Sequence, residues 1–371
     1  MKDKSVHIIS FDNPYPADYG GAIDVFYKIK ALHALGYKIT LHCFYDKRSL
    51  VVPELSGLTE AVFLYKKRRN PLLLFSLLPF AVRSRYDPEL AANIAQNDAP
   101  LLFEGLQTTM LLRGMPPGHR KLFLRLHNLE SDYYAGIARS EQGWLKKVLY
   151  KIDAYRFARY EQLLPRFDKV FTLSVYETAC VAEQAHNAEY IPVFHGNDSV
   201  RPLSEYGQYA LYHGDLRLPD NRRAAEFLIR VFSKIPDYKL LIASGNAQQF
   251  IESRIQHLPN IAFVRLRDNA QLQQLLENAH INAMLSFQRS GTKLKIVNAL
   301  YNSRFCVVNQ NMADDERLLA LCSTAGTEAE FIEAIKLLKN RPYTQYADRV
   351  AVLGELLDDA KNAAKLSAFL D

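Results

Sequence analysis

Short apolar runs of strand length recur along the chain, separated by stretches with apolar residues at helical spacing. In the first half the runs lie at 6–10, 38–44, 101–103, 121–126 and 169–173. In the second half they lie at 209–213, 238–243, 261–264, 281–285 and 305–308. Few of them alternate strictly between apolar and polar residues, so they read as strands covered on both faces, the pattern of parallel sheets. Between them, 22–35, 143–164 and 222–234 read as helices; Gly36 ends the first, and Ser174 caps a further helix that begins at Val175. Strands alternating with helices throughout predict an α/β chain with a parallel sheet in each half. Segment 191–202 has two prolines, one glycine and little periodicity, which places a domain boundary there. The expected division is 1–200, 201–345 and a helical tail, 346–371, that packs back on the first domain.

Composition narrows the class. At 371 residues and 49% hydrophobic, the chain can bury the core of two domains. A net charge of +6 and a pI near 8.9 suit an anionic ligand or a membrane surface, and are too weak for a nucleic-acid binder. The cysteines at 43, 180, 306 and 322 are scattered, with no spacing suited to zinc, and read as free thiols of a reducing compartment. No signal-peptide pattern opens the sequence and no apolar stretch is long enough to span a bilayer, so a cytoplasmic location is expected. One segment qualifies this. Lys66, Lys67, Arg68 and Arg69 precede an apolar run at 71–80, followed by Arg83 and Arg85. Such a run can lie against anionic lipid at the inner face of a membrane, with Trp144, Lys146, Lys147 and Lys151 reinforcing it, or can be a buried helix with solvated ends.

Candidate chemistry sits where strands end. In open α/β sheets ligands bind past the carboxyl ends of the strands, which singles out Glu104 after the 101–103 strand and His127 after the 121–126 strand. Gly20 and Gly21 close a loop after the first strand, and their missing Cβ atoms allow close approach of a ligand or simply a turn. The GxGxxG pattern of dinucleotide binding is absent. Segment 286–300 runs from a strand through Gly291 into a helix, with Lys293 and Lys295 beside its start. That arrangement fits a phosphate site and equally an ordinary loop capped by Thr292.

Four local patterns, in this order along a two-domain α/β chain, resemble the GT-B glycosyltransferases, specifically the retaining class called glycosyltransferase family four or group one. They are Tyr19-Gly20-Gly21-Ala22; Arg125-Leu126-His127-Asn128-Leu129-Glu130; the stretch from His213-Gly214-Asp215 to Pro219-Asp220-Asn221; and the run from Ser290-Gly291-Thr292-Lys293 through Lys295 and Asn298 to Leu300. The resemblance implies two Rossmann-like domains facing a central cleft, with a UDP- or GDP-sugar as co-substrate held chiefly by the second. It implies a glycan or lipid-linked acceptor on the first domain, a role in surface-polysaccharide assembly, and no cofactor or metal. By the same resemblance His127 lies near the transferred sugar, and Glu104 binds the acceptor or serves catalysis. Gly20, Gly21, Gly214, Arg217, Asn221, Ser290, Gly291, Thr292, Lys293, Lys295 and Asn298 would contribute to the donor site. Two departures stand out: the family's paired glutamates fall on Ser290 and Asn298, so the carboxylate that grips the donor ribose is a neutral amide here. The alternative reading is therefore a catalytically degenerate GT-B protein that binds glycan or supports a partner enzyme.

Overall fold

The computed structural model describes residues 4–115, 118, 120–288 and 293–371. The chain forms two compact units: one holds the chain up to Ala138, Trp144–Gly196 and Asp359–Asp371, and the other holds Arg139–Gly143 and Asn197–Asp358. The crossing point lies between Gly196 and Asn197, and the predicted tail divides between the units. Its Tyr346–Leu356 helix belongs to the second unit, and its Asp359–Leu370 helix to the first.

In the first unit, β1 (Ser5–Ser10), β2 (Lys38–Tyr45), β3 (Ala61–Lys66), β4 (Leu101–Glu104), β5 (Leu122–Leu126), β6 (Lys169–Thr172) and β7 (Ala188–Tyr190) form one sheet. Its order is β3-β2-β1-β4-β5-β6-β7, and every pairing is parallel. Adjacent residues feed opposite faces: Ile8, Leu102 and Phe123 enter one core cluster, and Ile9, Phe103 and Leu124 the other. Both faces are thus covered, which is why the sequence shows continuous apolar runs. Each such fully buried side chain contributes roughly 1.5–3 kcal/mol.

The second unit repeats the plan. Strands β8 (Tyr209–His213), β9 (Leu240–Ser244), β10 (Ile261–Arg265), β11 (Ala279–Met284), β12 (Phe305–Val308) and β13 (Ser323–Thr324) form a parallel sheet of order β10-β9-β8-β11-β12-β13. Each unit is Rossmann-like, with its strand order reversing beside the first strand of the unit. That reversal opens a crevice between β1 and β4 in one sheet and between β8 and β11 in the other.

Local choices follow the chain chemistry. The Gly20–Ala34 helix ends with Gly36 at φ +83, and the Ser174 side chain accepts from the Glu177 amide to cap the Val175–Ala185 helix. The long helix expected at 143–164 is α-helical only over Trp144–Tyr160 and tightens to a 3-10 helix at Glu161–Arg166, where Pro165 lacks the amide to continue it.

Candidate active site

In the first unit the carboxyl ends of β4 and β5 deliver Glu104 and His127, and the Gly20–Ala34 helix lays Asp24 and Lys28 over them. Lys28 Nζ lies 3.0 Å from Asp24 Oδ2, and 2.8 Å and 2.9 Å from the two Glu104 oxygens. Arg125, opposite Glu104 in the strand register, grips Asp24 through Nε at 3.1 Å and Nη2 at 2.7 Å. His127 Nε2 lies 2.9 Å from Glu104 Oε2. All five side chains are buried, with two carboxylates balanced by two permanent cations. Burial raises the Asp24 pKa, but Arg125, Lys28 and His127 outweigh it and hold this carboxyl well below the ordinary carboxylate range.

The donor atoms of Asp24, Glu104 and His127 all lie within 4.8 Å of one another, a spacing fit for a divalent ion. Lys28 already bridges the two carboxylates and Arg125 takes the other edge of Asp24, so side-chain cations fill the role an ion would have. With Nε2 donating to the Glu104 carboxylate, a neutral His127 imidazole presents Nδ1 as an acceptor. Glu104 is fully buried with its oxygens turned to Lys28 and His127, so its geometry suits orienting His127 more than touching an acceptor.

Gly20 and Gly21 open the same helix. A Cβ on Gly21 would meet the Phe11 ring at 2.5 Å, and that ring stands edge-on to His127 with centroids 5.2 Å apart. Glycine here lets the end of β1 close over the histidine. Behind the cluster, segment 191–196 is strapped down: Arg125 donates to the carbonyls of Ile191 and Pro192, Phe194 N to Asp24, and the amides of His195 and Gly196 to Asp359. Gly196 has φ +70, and a Cβ there would collide with the Tyr27 ring.

A second buried acidic group adjoins this one in sequence. Glu161 accepts from the amide and hydroxyl of Ser131, Glu177 accepts from Leu129 N, and both lie near Glu130 at the start of the Glu130–Ser140 helix. Burial first, then the charge of Glu161, push the Glu130 carboxyl up to about 8, with Arg85 pulling against them. A carboxyl raised in the folded state contributes fully below its unfolded value near 4.5, and that contribution is lost as pH rises through 8. Glu130→Gln is therefore expected to melt above the natural protein at pH 9 and close to it at pH 5, the gap growing by at most about 1.4 kcal/mol per pH unit. Calorimetric melting across that range checks it, and a constant gap would contradict it.

In the second unit the switch point is also occupied. His213 ends β8, Ser286 follows β11, and Lys295 lies in the first turn of the Leu294–Asn302 helix. Lys295 Nζ donates to Asn221 Oδ1 at 3.2 Å and sits 5.1 Å from the centre of the Tyr212 ring. Burial lowers its pKa to about 8; nearby Asp220 pulls it back up, and Lys293 pushes it further down. Burial and the Lys295 charge drive His213 to about 3, against a hydrogen bond to the Lys295 backbone. Asp220 accepts from Ser286 Oγ and Phe287 N, both at 3.0 Å, tying the loop after β11 to the start of the Pro219–Ser233 helix.

The remaining candidates divide. Asn221 and Gly214 join Lys295: Asn221 Nδ2 donates to Asp215 O, and a Cβ on Gly214 would press the Asn221 amide at 3.3 Å. Arg217 does not join them. Its side chain is 77% exposed and folds onto Asp215, two residues away. Asn298 turns its amide oxygen to Asn197 at 3.4 Å. Lys293 caps the Leu294–Asn302 helix beside Lys295. Ser290, Gly291 and Thr292 lie outside the described residues.

No family model matches the sequence. An uncharacterized 44.6 kDa protein in the cps region of Klebsiella pneumoniae is 24% identical over 336 residues, covering 81% of each chain. Sucrose-phosphate synthase from Thermosynechococcus elongatus superposes over 98% of both chains with a TM-score of 0.72 at 15% identity. Anabaena HepE, solved with UDP-glucose, superposes over 98% of this chain and 99% of its own, with a TM-score of 0.66 at 13% identity. The fold is GT-B. The GT-B architecture expected from the four sequence patterns, two Rossmann-like domains with parallel sheets, is therefore present. Among the described residues no helix is long and apolar enough to cross a membrane.

Three members of the first cluster were not anticipated as site residues: Asp24, Lys28 and Arg125. Arg125 did carry a signal, because a cation inside the apolar run Leu122–Leu126 demands a buried partner. Asp24 and Lys28 are one helical turn apart and look like a surface pair until β4 and β5 are placed beneath them.

Proposed function

We propose that this GT-B protein transfers a glycosyl group from a UDP- or GDP-sugar to a glycan or lipid-linked acceptor, with retention at the anomeric carbon, in surface-polysaccharide assembly. Lys295 carries this reading. Its half-buried side chain turns the ammonium to a neutral amide at the switch point of the second sheet, at the opening of a helix. A diphosphate there supplies the full negative charge that Asn221 lacks, while Lys295, Lys293 and the first-turn amides stabilise the charge that grows as the glycosidic bond breaks. His127 and the Glu104–Lys28 pair beneath it suit contact with the transferred sugar. The HepE complex with UDP-glucose and the cps-region relative support the donor class and the polysaccharide role. In the front-face route the leaving phosphate helps deprotonate the acceptor, and no side chain is assigned as base.

Calorimetry with UDP and GDP tests the donor site, and no heat of binding for either nucleotide or its sugars at millimolar concentration would sink it. An anion beside Lys295 raises its pKa from about 8. Binding at pH 8 is therefore expected to take up as much as about half a proton, with affinity falling up to roughly tenfold per unit above pH 8. Lys295→Met is expected to weaken the diphosphate more than the nucleoside and to flatten that pH dependence; an unchanged slope would remove Lys295 from the site. A non-catalytic binding protein is the second reading, favoured by Asn298, an amide engaged with Asn197 where the family has a carboxylate. Donor binding without any release of free sugar or transfer product would support it.

A further inference from the structure

We propose that the face formed by the 71–78 segment and the Trp144–Tyr160 helix docks on an anionic lipid bilayer, lying in its interface. Two exposed apolar stretches meet there. Phe75 and Leu77 are 85% and 88% exposed, with Leu72 and Leu74 also outward, although this run is one of the most apolar in the chain. The Pro71–Phe75 turn is a 3-10 helix with no buried residue, so the expectation of a buried helix is not met. On the Trp144–Tyr160 helix, Trp144, Leu145, Val148, Leu149, Ile152 and Tyr155 are all exposed. At about 100° per residue these six fall within an arc of roughly 140°. The opposite side holds Phe157 in the core, with Tyr134 stacked on it. The two stretches are joined, since Arg156 Nη2 donates to Leu74 O at 2.7 Å.

Charge selects the occupant. Segment 66–85 has six cations and no acid, and the Trp144–Tyr160 helix has five cations and one acid. These segments alone exceed the net +6 of the whole chain, so the rest of the molecule is net negative. Some of these cations are committed: Arg69 pairs with Asp46, Lys67 with Asp12, Arg156 with Asp153, and Arg85 donates to the Phe11 and Ala81 carbonyls. Lys66, Arg68, Lys146 and Lys151 remain exposed on the two segments. Aromatic and aliphatic tips on segments rich in exposed lysine and arginine match a bilayer of negative headgroups, which accepts the tips into the acyl boundary and the cations at its surface. A protein partner or a second copy would need its own acidic, apolar counterface, and this chain's own patch is basic, so self-pairing sets like charges together.

The test uses the full chain and its single tryptophan, Trp144, which stands within the patch. Phosphatidylcholine vesicles containing phosphatidylglycerol are expected to shift Trp144 emission to the blue and to sediment the protein, both reversed by high salt. Pure phosphatidylcholine is expected to do neither. Phe75→Ser with Leu77→Ser is expected to weaken vesicle affinity at least tenfold, as is the triple change of Lys146, Lys147 and Lys151 to Ser, with circular dichroism and nucleotide calorimetry unchanged. No blue shift with anionic vesicles overturns the proposal, as does equal binding to neutral ones. A blue shift that rises with protein concentration in the absence of lipid assigns the face to a second copy instead. Nucleotide binding is read separately, so failure here leaves the donor-site reading intact, and the converse holds.

Discussion

Replacing Lys28 by methionine is expected to cost the fold about 3–5 kcal/mol, the usual consequence of stripping one partner from a buried ion pair. The ammonium is fully buried and bridges Asp24 and Glu104 within 3.0 Å of each. Arg125 and the Phe194 amide still hold Asp24 when it is gone, but Glu104 keeps only His127. An uncompensated carboxylate is left in a dry interior. Adding Glu104→Gln removes that charge and leaves an amide oxygen to accept from His127, so the double variant is expected to recover most of the loss. Urea unfolding of the natural protein, both single variants and the double variant gives the coupling directly. A single variant within about 1 kcal/mol of the natural protein, with no coupling to Glu104, would remove the pair from the stability of the first unit.

His127→Ala is expected to lower glycosyl transfer, or donor hydrolysis where the acceptor is not known, by roughly a hundredfold or more, in the range that loss of a positioned hydrogen-bonding or proton-handling group produces. UDP affinity is expected to change little, because Lys295 and the helix it opens lie in the other unit. Glu104→Gln is expected to fall in between. It leaves the imidazole and its hydrogen bond in place but removes the negative charge beside Nε2, so its pH–rate profile is expected to shift, whereas simple loss of packing would lower the rate evenly across pH. Turnover at saturating donor and calorimetric affinity, measured side by side, separate the two effects. Equal losses in both would make His127 a binding or structural residue.

Much of this architecture was readable from the residues. Buried parallel strands announce themselves as apolar runs, and all ten predicted runs match strands to within two residues at either end. What escaped were sheet edges. In β3 most side chains are only half-buried, β7 is three residues long and β13 two, so none carries enough apolar signal to stand out. The candidate site's placement was legible where position along a strand mattered, as for Glu104 and His127, and where a cation opened a helix, as for Lys295. It was illegible where partners come from distant elements. Lys28 meets Glu104 across 76 positions of sequence, a pairing that only the sheet order creates. Arg217 lies apart, its guanidinium paired with Asp215 two residues away, a local partner that spacing alone does not weigh.

The Asp359–Leu370 helix also has a bearing on how the protein is made. It buries Ala363, Leu366 and Leu370 in the core of the first unit, and Tyr37 reaches Asp371 at 2.6 Å. All of the second unit from Asn197 to Asp358 comes before it in the chain. The residues up to Asp358 therefore hold every part of the second unit, while the first without this helix still exposes the groove it fills. The strap of Asp359 on the His195 and Gly196 amides closes only with the helix. A chain cut before Asp359 leaves the first unit, and not the second, with an open core and in need of a chaperone.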